Sequence, residues 1–79
     1  MATNDKGQNT ISKYVWVVET ILRHKKITFK ELSELWLRDE ISGGVELPKR
    51  TFDNWRYAIW DMFGINIENE RKGGYHYYI

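Results

Sequence analysis

The sequence predicts an α+β domain in which three helices are followed by a two-stranded β-hairpin. Three observations carry that expectation. Thr28 to Leu32 holds a complete helix-capping signature; Phe52 to Phe63 is amphipathic with a helical period and is closed by Gly64; and two alternating stretches, Ile65 to Glu68 and Tyr75 to Tyr77, flank Gly73-Gly74. The chain has 79 residues, room for one small core, and with 42% hydrophobic and 15% aromatic residues it is globular in composition. It has no cysteine, so neither a disulfide framework nor a thiolate metal site is available. A reducing, cytoplasmic setting suits such a chain. The longest strongly apolar run, Tyr14 to Val18, is too short to cross a bilayer, and Met1 to Thr10 lacks the apolar stretch of a secretion signal, so no membrane partner is expected.

Residues 1–10 are polar, contain Gly7 and show no periodicity, which predicts a flexible tail ahead of a domain spanning residues 11–79. From Ser12, a candidate N-cap, Tyr14, Val18, Ile21, Leu22 and Lys25 recur at the spacing of one helical face, with Val15 and Val17 beside it. This predicts a first helix to about Lys25, with a strand over Tyr14 to Val18 as the competing reading because β-branched residues crowd there. Trp16 falls opposite that face, among Glu19, Thr20 and Arg23, and is expected to be exposed.

The second helix starts where Thr28 can cap the amide of Glu31 while Glu31 reaches back to the amide of Thr28; Ile27 and Leu32 are placed for a hydrophobic staple. Leu32, Leu35 and Trp36 are its core face, and Ser42-Gly43-Gly44 ends it near Ile41. Pro48 suits the first turn of the third helix, whose core face is Phe52, Trp55, Ile59, Met62 and Phe63. The outer face near its start carries Arg50, Asp53, Asn54 and Tyr57. In the hairpin, Tyr75, Tyr77 and Ile79 are expected to pack onto Phe63 and Ile65, while Glu70, Arg71 and Lys72 sit at the tip.

Three helices followed by a hairpin is the plan of a winged helix-turn-helix, with helices two and three as the helix-turn-helix and the hairpin as the wing. The residues add a family. Leu47-Pro48-Lys49-Arg50-Thr51-Phe52, Phe63-Gly64-Ile65-Asn66-Ile67 and Arg71-Lys72-Gly73-Gly74-Tyr75 together resemble the N-terminal DNA-binding domain of bacterial WYL-domain transcriptional regulators, over Tyr14 to Ile79. The resemblance implies a sequence-specific regulator whose C-terminal WYL effector-sensing domain lies outside this chain and supplies most of the dimer contact. Two features depart from that family's pattern. Many relatives carry an arginine-aspartate pair where this chain has Asn54-Trp55, so their base preferences do not transfer, and the connection Ser42 to Leu47 is longer than a tight helix-turn-helix turn.

The chemistry of the residues points the same way. A recognition helix enters the major groove by its N-terminal half, where Arg50 can bond guanine bidentately, Asn54 can bond adenine, and Tyr57 can reach a phosphate or a thymine methyl. Lys49 and Thr51 are placed for phosphate, as are Thr28 and Lys30 at the start of helix two, where a helix N-terminus presents unpaired amides. Arg71 and Lys72 at a glycine turn can follow the backbone or enter the minor groove of double-stranded DNA. The competing reading makes these residues an ordinary solvated face and a soluble hairpin tip. Asp53 and Glu70 favour it, unless Asp53 is paired with Lys49 or Tyr57.

Net charge decides nothing, since 12 Lys and Arg against 11 Asp and Glu leave +1. Catalysis is not expected. The two histidines, His24 and His76, lie in different elements, and neither glycine pair has a nucleotide-binding framework, so no cofactor or metal is expected either. The remaining class is a winged helix used only for protein contacts or dimerisation. Because Tyr75 to Ile79 ends in an apolar strand, the sequence reads as a fragment of a longer chain, expected by itself to be a monomer that binds DNA weakly.

Overall fold

The computed structural model describes residues 5–79, with side chains from Thr10 onward. Helix α1 spans Asp5–His24, strand β1 Ile27–Thr28, helix α2 Phe29–Arg38, helix α3 Lys49–Phe63, strand β2 Glu68–Glu70 and strand β3 His76–Tyr78; a 3-10 turn covers Glu40–Ser42. The result is a small α+β domain of three helices and one antiparallel three-stranded sheet of order β1-β3-β2.

The third strand corrects the expected two-stranded hairpin. Ile27 pairs with Tyr77 and Thr28 with His76, while β2 pairs Glu68, Asn69 and Glu70 with Tyr78, Tyr77 and His76. A residue preceding a helix cap has extended backbone, so the two residues that lead into α2 can offer their amides and carbonyls to β3. A two-residue strand leaves no alternation to detect in sequence. Strand β2 also begins at Glu68 rather than Ile65.

Helix α1 starts at Asp5, so Ser12 lies inside it and is not its cap, and the expected tail is helical from Asp5 to Thr10; Met1 to Asn4 lie outside the described residues. Once packing of Tyr14, Val17 and Ile21 has stabilised the later turns, each further polar residue adds a hydrogen bond without a new nucleation cost. The buried face is rotated from the expected one. Val17, Thr20 and Ile21 are buried, whereas Leu22 is 55% exposed and Lys25 lies past the helix end with a left-handed φ of 65°. Five consecutive apolar residues, Tyr14 to Val18, leave the helical phase ambiguous, and contacts with the other helices select it.

The capping box at α2 is present as expected. Thr28 Oγ1 accepts from the Glu31 amide at 3.1 Å, and the Thr28 amide donates to Glu31 Oε1 at 3.0 Å. Ile27 and Leu32 are both buried. The helix ends at Arg38, three residues short of Ile41, because the Asp39 carboxylate takes the Ile41 amide at 3.1 Å and opens the 3-10 turn. Gly64, with φ of 69°, closes α3 as expected and donates its amide to the Trp60 carbonyl at 2.8 Å.

Two aromatic chains organise the interior. Trp16, Trp36, Trp55 and Tyr14 follow one another through edge contacts, with ring centroids 5.3, 5.5 and 6.0 Å apart. Phe29, Phe52 and Tyr77 form the second, at 5.4 and 5.0 Å, and tie α2, α3 and the sheet together. Trp16 is therefore half-buried rather than free, and its indole N–H donates to Asp39 Oδ2 at 3.0 Å. Trp36 donates to the Val45 carbonyl at 2.8 Å, which fixes the long connection leading into α3. On α3, Phe52 and Ile59 are buried and Trp55 half-buried, but Met62 and Phe63 are exposed because the last turn projects past the core. Tyr77 alone among the expected wing packers is buried; Tyr75 has a φ of 59° that turns it out of the strand alternation, and it is 59% exposed, as Ile79 is at 43%.

Candidate nucleic-acid interface

Pro48 precedes α3 without a side-chain cap, so the first amides of the helix remain open and the Lys49-Arg50-Thr51 turn carries no acidic residue. From this start the outward face runs through Arg50, Asn54 and Tyr57, all exposed, Tyr57 by 77%. Positions 50, 54, 57 and 61 share that face at helical spacing. Asp61 closes it with a negative charge, so a surface suited to a polyanion covers only the first half of the helix.

Of the two partners that could neutralise Asp53, Lys49 is the one that pairs with it. Lys49 Nζ donates to both Asp53 oxygens, at 3.0 and 3.1 Å, and Arg56 Nη1 lies 3.5 Å from Oδ1. Partial burial works to lower the Lys49 pKa, but the Asp53 hydrogen bond and Tyr77 outweigh it and hold the ammonium above its ordinary value. Arg56 was not among the residues expected to matter. Its guanidinium lies over the Tyr77 ring at 5.0 Å and donates to the Ile67 carbonyl at 2.8 Å, strapping α3 to the segment before β2. Only its i, i+3 spacing from Asp53 hinted at this in sequence.

A groove of about 450 Å³ lies where the starts of α2 and α3 meet the β2–β3 turn. Thr28, Lys30, Lys49 and Arg71 line it, together with Tyr75, which was expected to pack inward, and Asn69, which sequence reasoning did not single out. Three of the four residues expected to touch phosphate, and Arg71 of the expected wing, are thus brought together. Thr51 is half-buried and lines neither this groove nor the larger one between α3 and Asn66-Ile67, and Lys72 is exposed in the turn beyond Arg71. Thr28 accepts the Glu31 amide through its oxygen and keeps its hydroxyl hydrogen to donate. The Glu31 carboxylate, its pKa lowered chiefly by the Thr28 backbone hydrogen bond, brings a negative charge to the start of α2, which weakens that helix end as an anion site.

Glu70 does not dilute the wing charge as its sequence position suggested. It lies in β2 and meets Lys26 Nζ at 2.6 Å, a contact that raises the Lys26 pKa and lowers that of Glu70. Among the described residues Lys30, Arg50, Arg71 and Lys72 have no carboxylate within 4.0 Å. The described residues include no group of three or more His, Asp or Glu side chains placed to hold a metal ion, and no helix among them is long and apolar enough to cross a membrane. Comparison of the chain with models of protein families, with curated proteins and with solved structures finds no match, so the fold and the site rest on the residues themselves.

Proposed function

We propose that the chain is a winged-helix module that binds double-stranded DNA for a cytoplasmic transcriptional regulator, with α3 in the major groove and the β2–β3 turn on the backbone or in the minor groove. The observation that carries this reading is the convergence of Lys30, Lys49 and Arg71 from three separate elements on one groove beside the exposed Arg50, Asn54 and Tyr57. A solvated face has no reason to gather cations from α2, α3 and the wing, whereas a duplex presents phosphates on both sides of the groove a helix enters. The pairing of β1 with β3 supports the winged-helix arrangement, because it holds the wing against the start of α2.

In this reading Arg50, Asn54 and Tyr57 meet base edges, Thr28, Lys30, Lys49 and Thr51 meet phosphates, and Arg71 with Lys72 follows the backbone. The resemblance to WYL-domain regulators adds the proposal that an effector-sensing domain follows and carries the dimer contact. The direct test is binding to random-sequence duplex over a range of salt, since released counterions give a slope proportional to the number of phosphates contacted. A salt-independent result would exclude the DNA reading. A protein-contact module is the second reading, favoured by exposed Val15, Leu22, Trp60, Met62 and Phe63; it predicts no binding to duplex at low salt.

A further inference from the structure

On a different face, residues of α1 and α2, with Asp39 after α2, line a cleft of about 220 Å³ that shares no residue with the grooves near α3. Arg23 from α1 and Arg38 from α2 line it, both exposed, and neither has a carboxylate within 4.0 Å among the described residues. Two guanidinium groups lining one cleft supply donors suited to an oxyanion. The cleft is also lined by Thr20, which is only 2% exposed. Its carbonyl lies 3.0 Å from His24 Nδ1, but its hydroxyl has no hydrogen-bond partner among the described residues. That hydroxyl is not sealed from solvent and borders the cleft, where it can donate to a bound anion.

The rest of the lining limits what can sit there. Trp16 and Leu35 offer apolar surface. Asp39 also lines the cleft, but its two oxygens are engaged by the Trp16 indole at 3.0 Å and the Ile41 amide at 3.1 Å, bonds that hold its pKa below the ordinary value. Its negative charge stays at the cleft, where the field of Arg23 also helps to lower its pKa, so it offsets part of that arginine's charge. The volume exceeds that of a bare phosphate or carboxylate group and leaves room for a few further atoms.

We propose that this cleft binds a small organic anion, its phosphate or carboxylate head held by Arg23, Arg38 and the Thr20 hydroxyl and its apolar part against Trp16 and Leu35. The inference is independent of DNA binding. If both hold, a small solute has a site on the domain that DNA leaves open.

The experiment follows the Trp16 indole N–H resonance, which reports on the wall of the cleft through its bond to Asp39, while phenyl phosphate, inorganic phosphate, benzoate and acetate are titrated in turn. A saturable shift is expected, stronger for phenyl phosphate than inorganic phosphate and for benzoate than acetate; comparison of the two aromatic probes assigns the head group. Thr20→Val, which keeps the shape and removes the hydroxyl, is expected to weaken binding about tenfold or more, as loss of a hydrogen bond to a charged group does. Absence of a saturable shift with every probe, or an affinity that Thr20→Val leaves unchanged, overturns the proposal. Should Thr20→Val fail to fold, the paired surface variants Arg23→Gln and Arg38→Gln decide, each expected to weaken the aromatic probe about tenfold; unchanged affinity in both is the refuting result.

Discussion

The wing turn offers the sharpest perturbation of the proposed DNA interface. Arg71 and Lys72 are exposed, they have no carboxylate within 4.0 Å, and the acidic neighbour Glu70 is held by Lys26 at 2.6 Å. Arg71→Ala with Lys72→Ala therefore removes two unscreened charges without freeing a buried partner. Each phosphate contact contributes about 0.9 to the slope of log K against log salt on duplex DNA, so the double variant should flatten the slope by up to about 1.8. Between about 50 and 200 mM salt this amounts to a change of roughly twelvefold in the affinity ratio of parent to variant. Random and preferred sequences should be affected alike, because phosphates carry no sequence information. Fluorescence anisotropy on a labelled duplex at four or five salt concentrations measures both slopes. Parallel slopes for parent and variant would refute the placement of the wing on DNA. Lys26→Ala provides an internal control: it also removes one positive charge, but that charge is already paired, and its effect should come from the released Glu70 and appear as weaker binding with Arg71 still in place.

Other outcomes follow from the same geometry. Asn54→Ala should cost about 1–3 kcal/mol against a selected site and little against random duplex, whereas a parallel loss on both would remove Asn54 from base reading. Thr28→Ala should destabilise the fold by about 1 kcal/mol in urea titration through loss of the α2 cap. The Glu31 carboxyl, whose folded pKa lies below its ordinary 4.5, contributes stability that is fully present above that value and is lost as pH falls through the lowered folded value. Glu31→Gln should accordingly flatten the acid limb of a stability-against-pH curve, and an unaltered limb would show that the capping carboxylate is not its source. Phe52→Ala, at a fully buried ring touching both Phe29 and Tyr77, should cost about 3–5 kcal/mol, a large share of the roughly 4–12 kcal/mol expected for a domain of this size. Thermal melting would expose a smaller effect and with it a looser core than these contacts describe.

Much of this molecule was legible along the chain because the forces involved act locally. The capping box at Thr28 and Glu31, the stop at Gly64, the amphipathic start of α3 and the Lys49–Asp53 pair all depend on residues within one turn of each other. The outward set Arg50, Asn54 and Tyr57 was legible for the same reason, since helical spacing places them together whatever the rest of the chain does. Tertiary structure alone decided the remainder. It set the phase of α1, because several faces of an apolar run are equally greasy and only contact with Trp36 and Trp55 distinguishes them. It drew Ile27-Thr28 into the sheet beside β3, a pairing between segments nearly 50 residues apart that no local period encodes. It also brought Lys30, Lys49 and Arg71 to one groove, moved Glu70 onto Lys26, and left the Thr20 hydroxyl facing a cleft between two arginines. Local hydrogen bonds and periodicity depend on neighbours in sequence, but charge placement and burial depend on neighbours in space, which only the folded chain supplies.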